Sequence, residues 1–167
     1  MNIGICTVHY AHNYGAMLQG YALKNVLEQM GHNVVMTDRR ANTLTKWNPR
    51  PLSKSSLKEI LLYPKYLYKW YLPKYLTLRK RENNFERYLN TYLNDRPYNQ
   101  EYLDAIIYGG DQIWSKFEYG FDDIWWGIKD SNTDKRISYA ASMGVLDIEK
   151  GDGEFVKKAL ERFSAVS

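Results

Sequence analysis

The opening 38 residues constrain the fold more than any other part of the chain, because an apolar run, a helical stripe and a second apolar run follow one another almost without interruption. Residues 2–9, NIGICTVH, are apolar and β-branched without strict alternation, the pattern of a strand covered on both faces. From Asn13 the spacing changes. Ala16, Leu23, Val26, Leu27 and Met30 fall on one helical stripe, and Gly31 follows as a C-terminal stop. NVVMTD, residues 33–38, is a second strand after a tight loop. Strand, helix and strand in this order give a crossover long enough for parallel pairing, and such crossovers are right-handed.

The same design recurs further along. DAIIYGG (104–110) is a short apolar run ending in two glycines, and RISYAAS (136–142) ends at Met143-Gly144. EFVKKALERF (154–163) carries a helical stripe of Phe155, Ala159 and Phe163 with Val156 and Leu160 beside it. SAVS then begins one more strand and the chain stops inside it, so a longer polypeptide is expected, with residues 1–167 as its front part. The fold class is therefore α/β, a Rossmann-like parallel sheet with flanking helices.

Between these units lies a segment of different composition. Residues 40–90 hold twelve lysines or arginines against Glu59, Glu82 and Glu86, a net +9 in a chain whose total is +4, which leaves −5 for the rest. The insert, about 40–103, is basic and aromatic. Pro64 and Pro73 divide it into short pieces, and Phe85, Tyr88, Leu89 and Tyr92 predict a helix over roughly 75–93.

Composition excludes several classes. With 44% hydrophobic residues the chain can bury a core, and no apolar segment approaches the roughly 18 residues of a membrane span. Cys6 has no partner cysteine, so no disulfide framework forms within the chain, and a cytoplasmic location is expected, with the inner face of the membrane as a working place. No P-loop, G-x-G-x-x-G or G-x-S-x-G is present. The three histidines are too scattered for a zinc site, and no metal is expected.

In open α/β sheets ligands bind outside the carboxyl ends of the strands. His9, His12 and Asn13 follow the first strand, Asp111, Gln112 and Trp114 follow the third, and Ser138 and Ser142 lie along and at the end of the fourth. His9 and His12 have the chemistry of general acids or bases, since imidazole titrates near neutrality. Asn13 is placed as the N-cap of the first helix, with free N–H groups expected at Gly15 and Ala16 that suit an anion; a cap of this kind also needs no ligand. Gln19 belongs to the stripe expected to face the sheet, where its amide needs a partner in the backbone or in a ligand. Gly20 suggests a close helix–strand approach. The aromatic run QIWSKFEYGFDDIWWGIKD (112–130) either offers flat faces to sugar rings or covers the sheet.

Three segments, HYAHNYGAMLQGYAL, YGGDQIW and KRISYAASMG, resemble in order and spacing the N-terminal half of the polysaccharide pyruvyl transferase family. The resemblance implies the N-terminal lobe of a GT-B-like two-lobed fold that transfers the pyruvyl unit of phosphoenolpyruvate, the donor substrate, to a sugar of a cell-surface polysaccharide or its precursor. It implies no cofactor. His12, Asn13, Tyr14, Gly15 and Gln19 match the first motif, Asp111, Gln112 and Trp114 the second, and Arg136, Ser138 and Ser142 the third. His9, His12 and Asp111 are the candidate acids and bases, the others substrate ligands. Gly110 stands where serine is commoner, and Met17 and Met143 replace other apolar residues. The arginine and histidine motif expected to hold the donor falls beyond Ser167, so residues 1–167 alone are expected to be inactive.

Two other readings start from the same residues. One is the front lobe of a different GT-B-like transferase that uses a nucleotide sugar. The other is a non-catalytic module whose basic, aromatic insert holds an anionic membrane or nucleic acid. Nucleic acid is not the expected partner. A sugar or lipid-linked glycan acceptor is, with a peripheral membrane contact through Lys65, Lys69 and Lys74.

Overall fold

The computed structural model describes residues 1–10, 13–37, 69, 72–94, 96, 102–119, 121–128, 130–145, 148–149 and 151–167. Strands β1 (Asn2–Cys6), β2 (Asn33–Met36), β3 (Ala105–Gly110), β4 (Arg136–Ala141) and β5 (Ala165–Val166) form one sheet in the order β2-β1-β3-β4-β5. Every pairing is parallel, so all five strands end on the same edge. The expected α/β class and parallel sheet are found, and SAVS supplies the fifth strand. Each expected strand is shorter at one or both ends, and Thr7, Val8 and His9 leave β1 while staying buried.

Helices cover the sheet on both faces. Ile5, Val34 and Met36 pack against Met17 of α1 (Tyr14–Gln29) and against Phe85, Leu89 and Leu93. Phe85 belongs to α2 (Leu72–Tyr88), which continues as a π-helical turn, Leu89–Leu93. The helix expected over roughly 75–93 is thus present. Pro73 sits in its first turn, where a missing N–H costs nothing. On the opposite face Cys6, Ile106 and Tyr108 meet Trp114, Trp125 and Trp126 together with Val156 and Ala159 of α4 (Gly153–Leu160). Between them lies a short helix, α3 (Lys116–Tyr119). The aromatic run is a cover for the sheet: Trp114 and Trp126 stack at 4.8 Å, Trp126 meets Phe155 edge-on, and the Trp114 indole N–H donates to the Trp125 carbonyl.

The inward stripe of α1 differs from the expected one. Val26 and Met30 are 47% and 66% exposed, while Met17, Gly20 and Lys24 are buried. A buried ammonium needs acceptors. Lys24 Nζ donates to the Tyr92 carbonyl at 3.0 Å and lies 3.9 Å from Glu28, so α1 is pinned to the π turn by a partner that local periodicity cannot reveal. Gln19 is exposed rather than buried against the sheet, and its amide bears no desolvation cost. Gly20 was expected to mark a tight approach, yet a Cβ there would lie 3.5–3.6 Å from Thr7, His9 and Met36, ordinary contact distances. The tight approach is at Gly109, whose Cβ would meet the Tyr139 carbonyl oxygen at 2.5 Å. Gly110 has φ +137, a conformation that serine, the commoner residue in the resembling motif, rarely adopts.

Candidate functional site at the strand ends

The order 2-1-3-4-5 contains one switch point, between β1 and β3. The chain leaves β1 toward β2 on one side, and β3 leads toward β4 on the other, so the two loops diverge and leave a crevice. A cleft of about 420 Å³ opens there. Thr7 follows β1 directly, Asn13 caps α1 and Gln19 lies in its second turn, Asp111 and Gln112 come from the turn after β3, and Glu118 from α3. Gly15 lies in the same wall, where the missing side chain keeps the backbone accessible.

Local hydrogen bonds explain why these groups stand where they do. Asn13 has extended backbone (φ −123, ψ 119) and its Oδ1 accepts from the N–H groups of Gly15 at 2.8 Å and Ala16 at 3.4 Å. It is the expected N-cap. The Asn13 carbonyl takes the Met17 N–H. The N–H groups expected to be free for an anion are therefore already used, and the anion reading of this helix end loses its donors.

Across the cleft, Ser142 organises the turn after β3. Its Oγ accepts the Gln112 backbone N–H at 2.9 Å and donates to Asp111 Oδ1 at 3.2 Å, while its carbonyl accepts the Trp114 N–H at 3.1 Å. Gln112 has φ +59 and Ala140, two residues before Ser142, has φ +50, so left-handed backbone occurs on both sides of this contact. A register shift between Tyr108 and Gly110 lies at the same point. Bulges of this kind re-aim side chains at strand ends. Asp111 Oδ1 is held by Ser142, which leaves Oδ2 for a ligand.

Asn13, Gly15, Gln19, Asp111 and Gln112 are thus brought together, with Ser142 behind Asp111. The other candidates are elsewhere. Tyr14 points away along α1, 65% exposed, with its ring 4.6 Å from Phe85 and the Arg81 guanidinium above it. His9 is buried beneath α1, where Nδ1 donates to the Thr7 carbonyl at 3.0 Å, so Nδ1 carries the proton. It does not line the cleft. The Trp114 indole turns into the aromatic core. Ser138 is buried in mid-strand beside Tyr108. Arg136 opens β4, and in a parallel sheet that puts it at the end opposite the cleft. There it donates to the carbonyls of Gly127 and Asp130, while the Tyr108 hydroxyl donates to the Asp130 carboxylate, a clamp across the base of the fold. His12 and Lys65 lie outside the described residues.

Two polar cleft residues are not among the sequence candidates, Thr7 and Glu118. Glu118 is exposed, on the single turn of helix after β3, and its N–H bonds to Ser115 Oγ. The sequence signal was a carboxylate seven residues past Asp111, hidden in a run read only for its rings. Nearby Lys116 is committed elsewhere: its hydrogen bonds to Asp152 and then Glu149 hold its pKa above the ordinary lysine value. Among the described residues that line the cleft there is no lysine, arginine or histidine. No metal-binding cluster occurs among the described residues.

A family model described as polysaccharide pyruvyl transferase matches residues 13–167. Neither a curated protein nor a solved structure matches the chain.

Proposed function

The chain belongs to the polysaccharide pyruvyl transferase family, and from that premise we propose that it serves the transfer of the pyruvyl unit of phosphoenolpyruvate to two hydroxyls of a sugar in a cell-surface polysaccharide or its precursor, with the switch-point cleft holding the sugar. The observation that carries the assignment is the lining: amides, a hydroxyl and two carboxylates, with no cation among the described residues. Such groups hydrogen-bond sugar hydroxyls well. They offer little to a donor bearing a carboxylate and a phosphate, which needs cationic or N–H partners. In this reading residues 1–167 form one lobe of a GT-B-like fold, and a facing lobe supplies those partners.

The chemistry assigns Asp111 a definite task. A proton added to the methylene carbon of the donor makes C2 electrophilic, and the first sugar hydroxyl adds there. The second hydroxyl then adds to C2 as the C–O bond to phosphate breaks. Of the two hydroxyl protons, one is balanced by the new methyl group and the other leaves with phosphate. Asp111 Oδ2, beside a carboxylate oxygen anchored by Ser142, accepts a hydroxyl proton as general base. Phosphate release from phosphoenolpyruvate by the complete protein, dependent on an added sugar acceptor, is the expected result. Turnover only with nucleotide sugars would instead identify the other GT-B-like transferase.

The membrane reading has one supporting feature, the outer side of α2. Leu72 and Leu76 are exposed there, 40% and 57%, with Arg79 and Lys80 on the same side, and Lys69 and Lys74 are exposed nearby. Leucines among cations suit the headgroup region of an anionic bilayer, where a glycan carried on lipid would be presented. Charge reversal of Lys69, Lys74 and Lys80 together is expected to abolish sedimentation with phosphatidylglycerol vesicles. Unchanged sedimentation would remove this contact from the proposal.

A further inference from the structure

We propose that Glu118 is a specificity-determining residue which, together with Asp111, makes the cleft select a sugar that is uncharged or carries an amine and reject an acidic one. The inference rests on the assignment of this cleft to the sugar acceptor. It goes beyond that assignment because Glu118 belongs to none of the three motifs that carry the family resemblance. It marks what this chain takes, where the motifs mark what the family does.

Two acidic residues line the cleft from different elements. Asp111 comes from the turn after β3 and Glu118 from α3, so the β3 side carries negative charge, while the polar side chains on the α1 side are the amides of Asn13 and Gln19. The described cationic neighbour does not compensate. Lys116, two residues before Glu118, points away to Asp152 and Glu149 at 2.7 and 2.9 Å. Among the described residues no ion pair neutralises either carboxylate.

An uronic acid or a phosphorylated sugar entering here meets like charge with no counter-ion among the described residues that line the cleft, whereas an ammonium gains two acceptors. Hydroxyl groups of a neutral ring donate to the carboxylates and accept from the amides, so a neutral sugar ranks between the two. The cleft is open to solvent, so the discrimination is moderate: about fivefold between adjacent charge classes is the scale for a charge pair near a protein surface. It shrinks as salt is added, because exposed charges are screened.

The test titrates the isotope-labelled chain with D-glucosamine, D-glucose and D-glucuronate at mildly acidic pH and low salt, where the amine is protonated and carboxylates remain ionised. Shifts are followed at the backbone amides of Gly15 and Gly110 and the side-chain amides of Gln19 and Gln112. Half-saturation is expected in the order glucosamine, glucose, glucuronate, with about fivefold between neighbours and a narrower spread at high salt. Glu118→Gln, an isosteric change at an exposed side chain, is expected to pull glucosamine and glucuronate together while leaving glucose within about twofold. A glucuronate affinity equal to or above that of glucosamine overturns the proposal. So does a ranking that Glu118→Gln leaves unchanged, which would place the selectivity elsewhere and leave the acceptor assignment standing. If none of the three sugars moves the cleft resonances, the acceptor assignment itself fails and the selectivity falls with it.

Discussion

Replacing Gly109 by alanine is expected to lower the unfolding free energy by about 3 kcal/mol, the upper end for forcing atoms into a filled interior. A Cβ at that position would lie 2.5 Å from the backbone carbonyl oxygen of Tyr139, and backbone inside a strand pair has no rotamer to move aside. Relief must come from parting β3 and β4 where the register already shifts between Tyr108 and Gly110. Ala140, next to Tyr139, sits at φ +50, so the strand is committed to a strained path at the same place. The comparison is Gly151→Ala, where a Cβ meets nothing within 4 Å and the expected change is within about 0.5 kcal/mol. Urea unfolding measures both. Equal midpoints for the two variants would mean that β3 and β4 do not approach as described.

That contact also explains how much of the site could be anticipated. Strand identity was legible because four apolar runs, each ended by glycine or polar residues, have few other solutions, and a fifth, SAVS, pairs with Ile137 and Ser138 of β4. Strand polarity then decides which candidates reach the rim. Arg136 and Ser142 belong to one motif, yet a parallel strand of six residues puts the first at the base and the second at the cleft. Motif membership alone treats them alike. The burial of Lys24 was not legible, since its acceptor at Tyr92 arrives from another helix. Nor was the loss of the anion site: an asparagine cap was expected, and its side chain takes the very N–H groups that a ligand would need. Glu118 was missed because six aromatic side chains dominate the run from Trp114 to Trp126, and a lone carboxylate among them leaves no periodic trace.

Asp111→Asn is expected to lower kcat for acceptor-dependent phosphate release by about a hundredfold, the scale of losing a positioned general base. The substitution keeps the shape of the side chain and an oxygen that accepts from Ser142 Oγ, so the turn after β3 and the melting temperature should be unchanged. Ser142 tests the same atom from behind. Ser142→Ala takes away the hydrogen bond to Asp111 and the acceptor for the Gln112 N–H, so that among the described residues the turn at Gln112 (φ +59) keeps only its carbonyl bond from the Ser115 N–H and the Trp114 N–H bond to the residue 142 carbonyl. About a tenfold loss in kcat is expected, smaller than for Asp111 because the base is displaced rather than removed. Ser142→Thr, which keeps the hydroxyl, should recover most of it. In the double variant with Asp111→Asn the serine change should add little, since a positioning residue has nothing left to position. Full additivity of the two losses, or retention of activity in Asp111→Asn with an intact fold, would show that the proton goes to another group and that the Asp111–Ser142 pair serves only the shape of the turn.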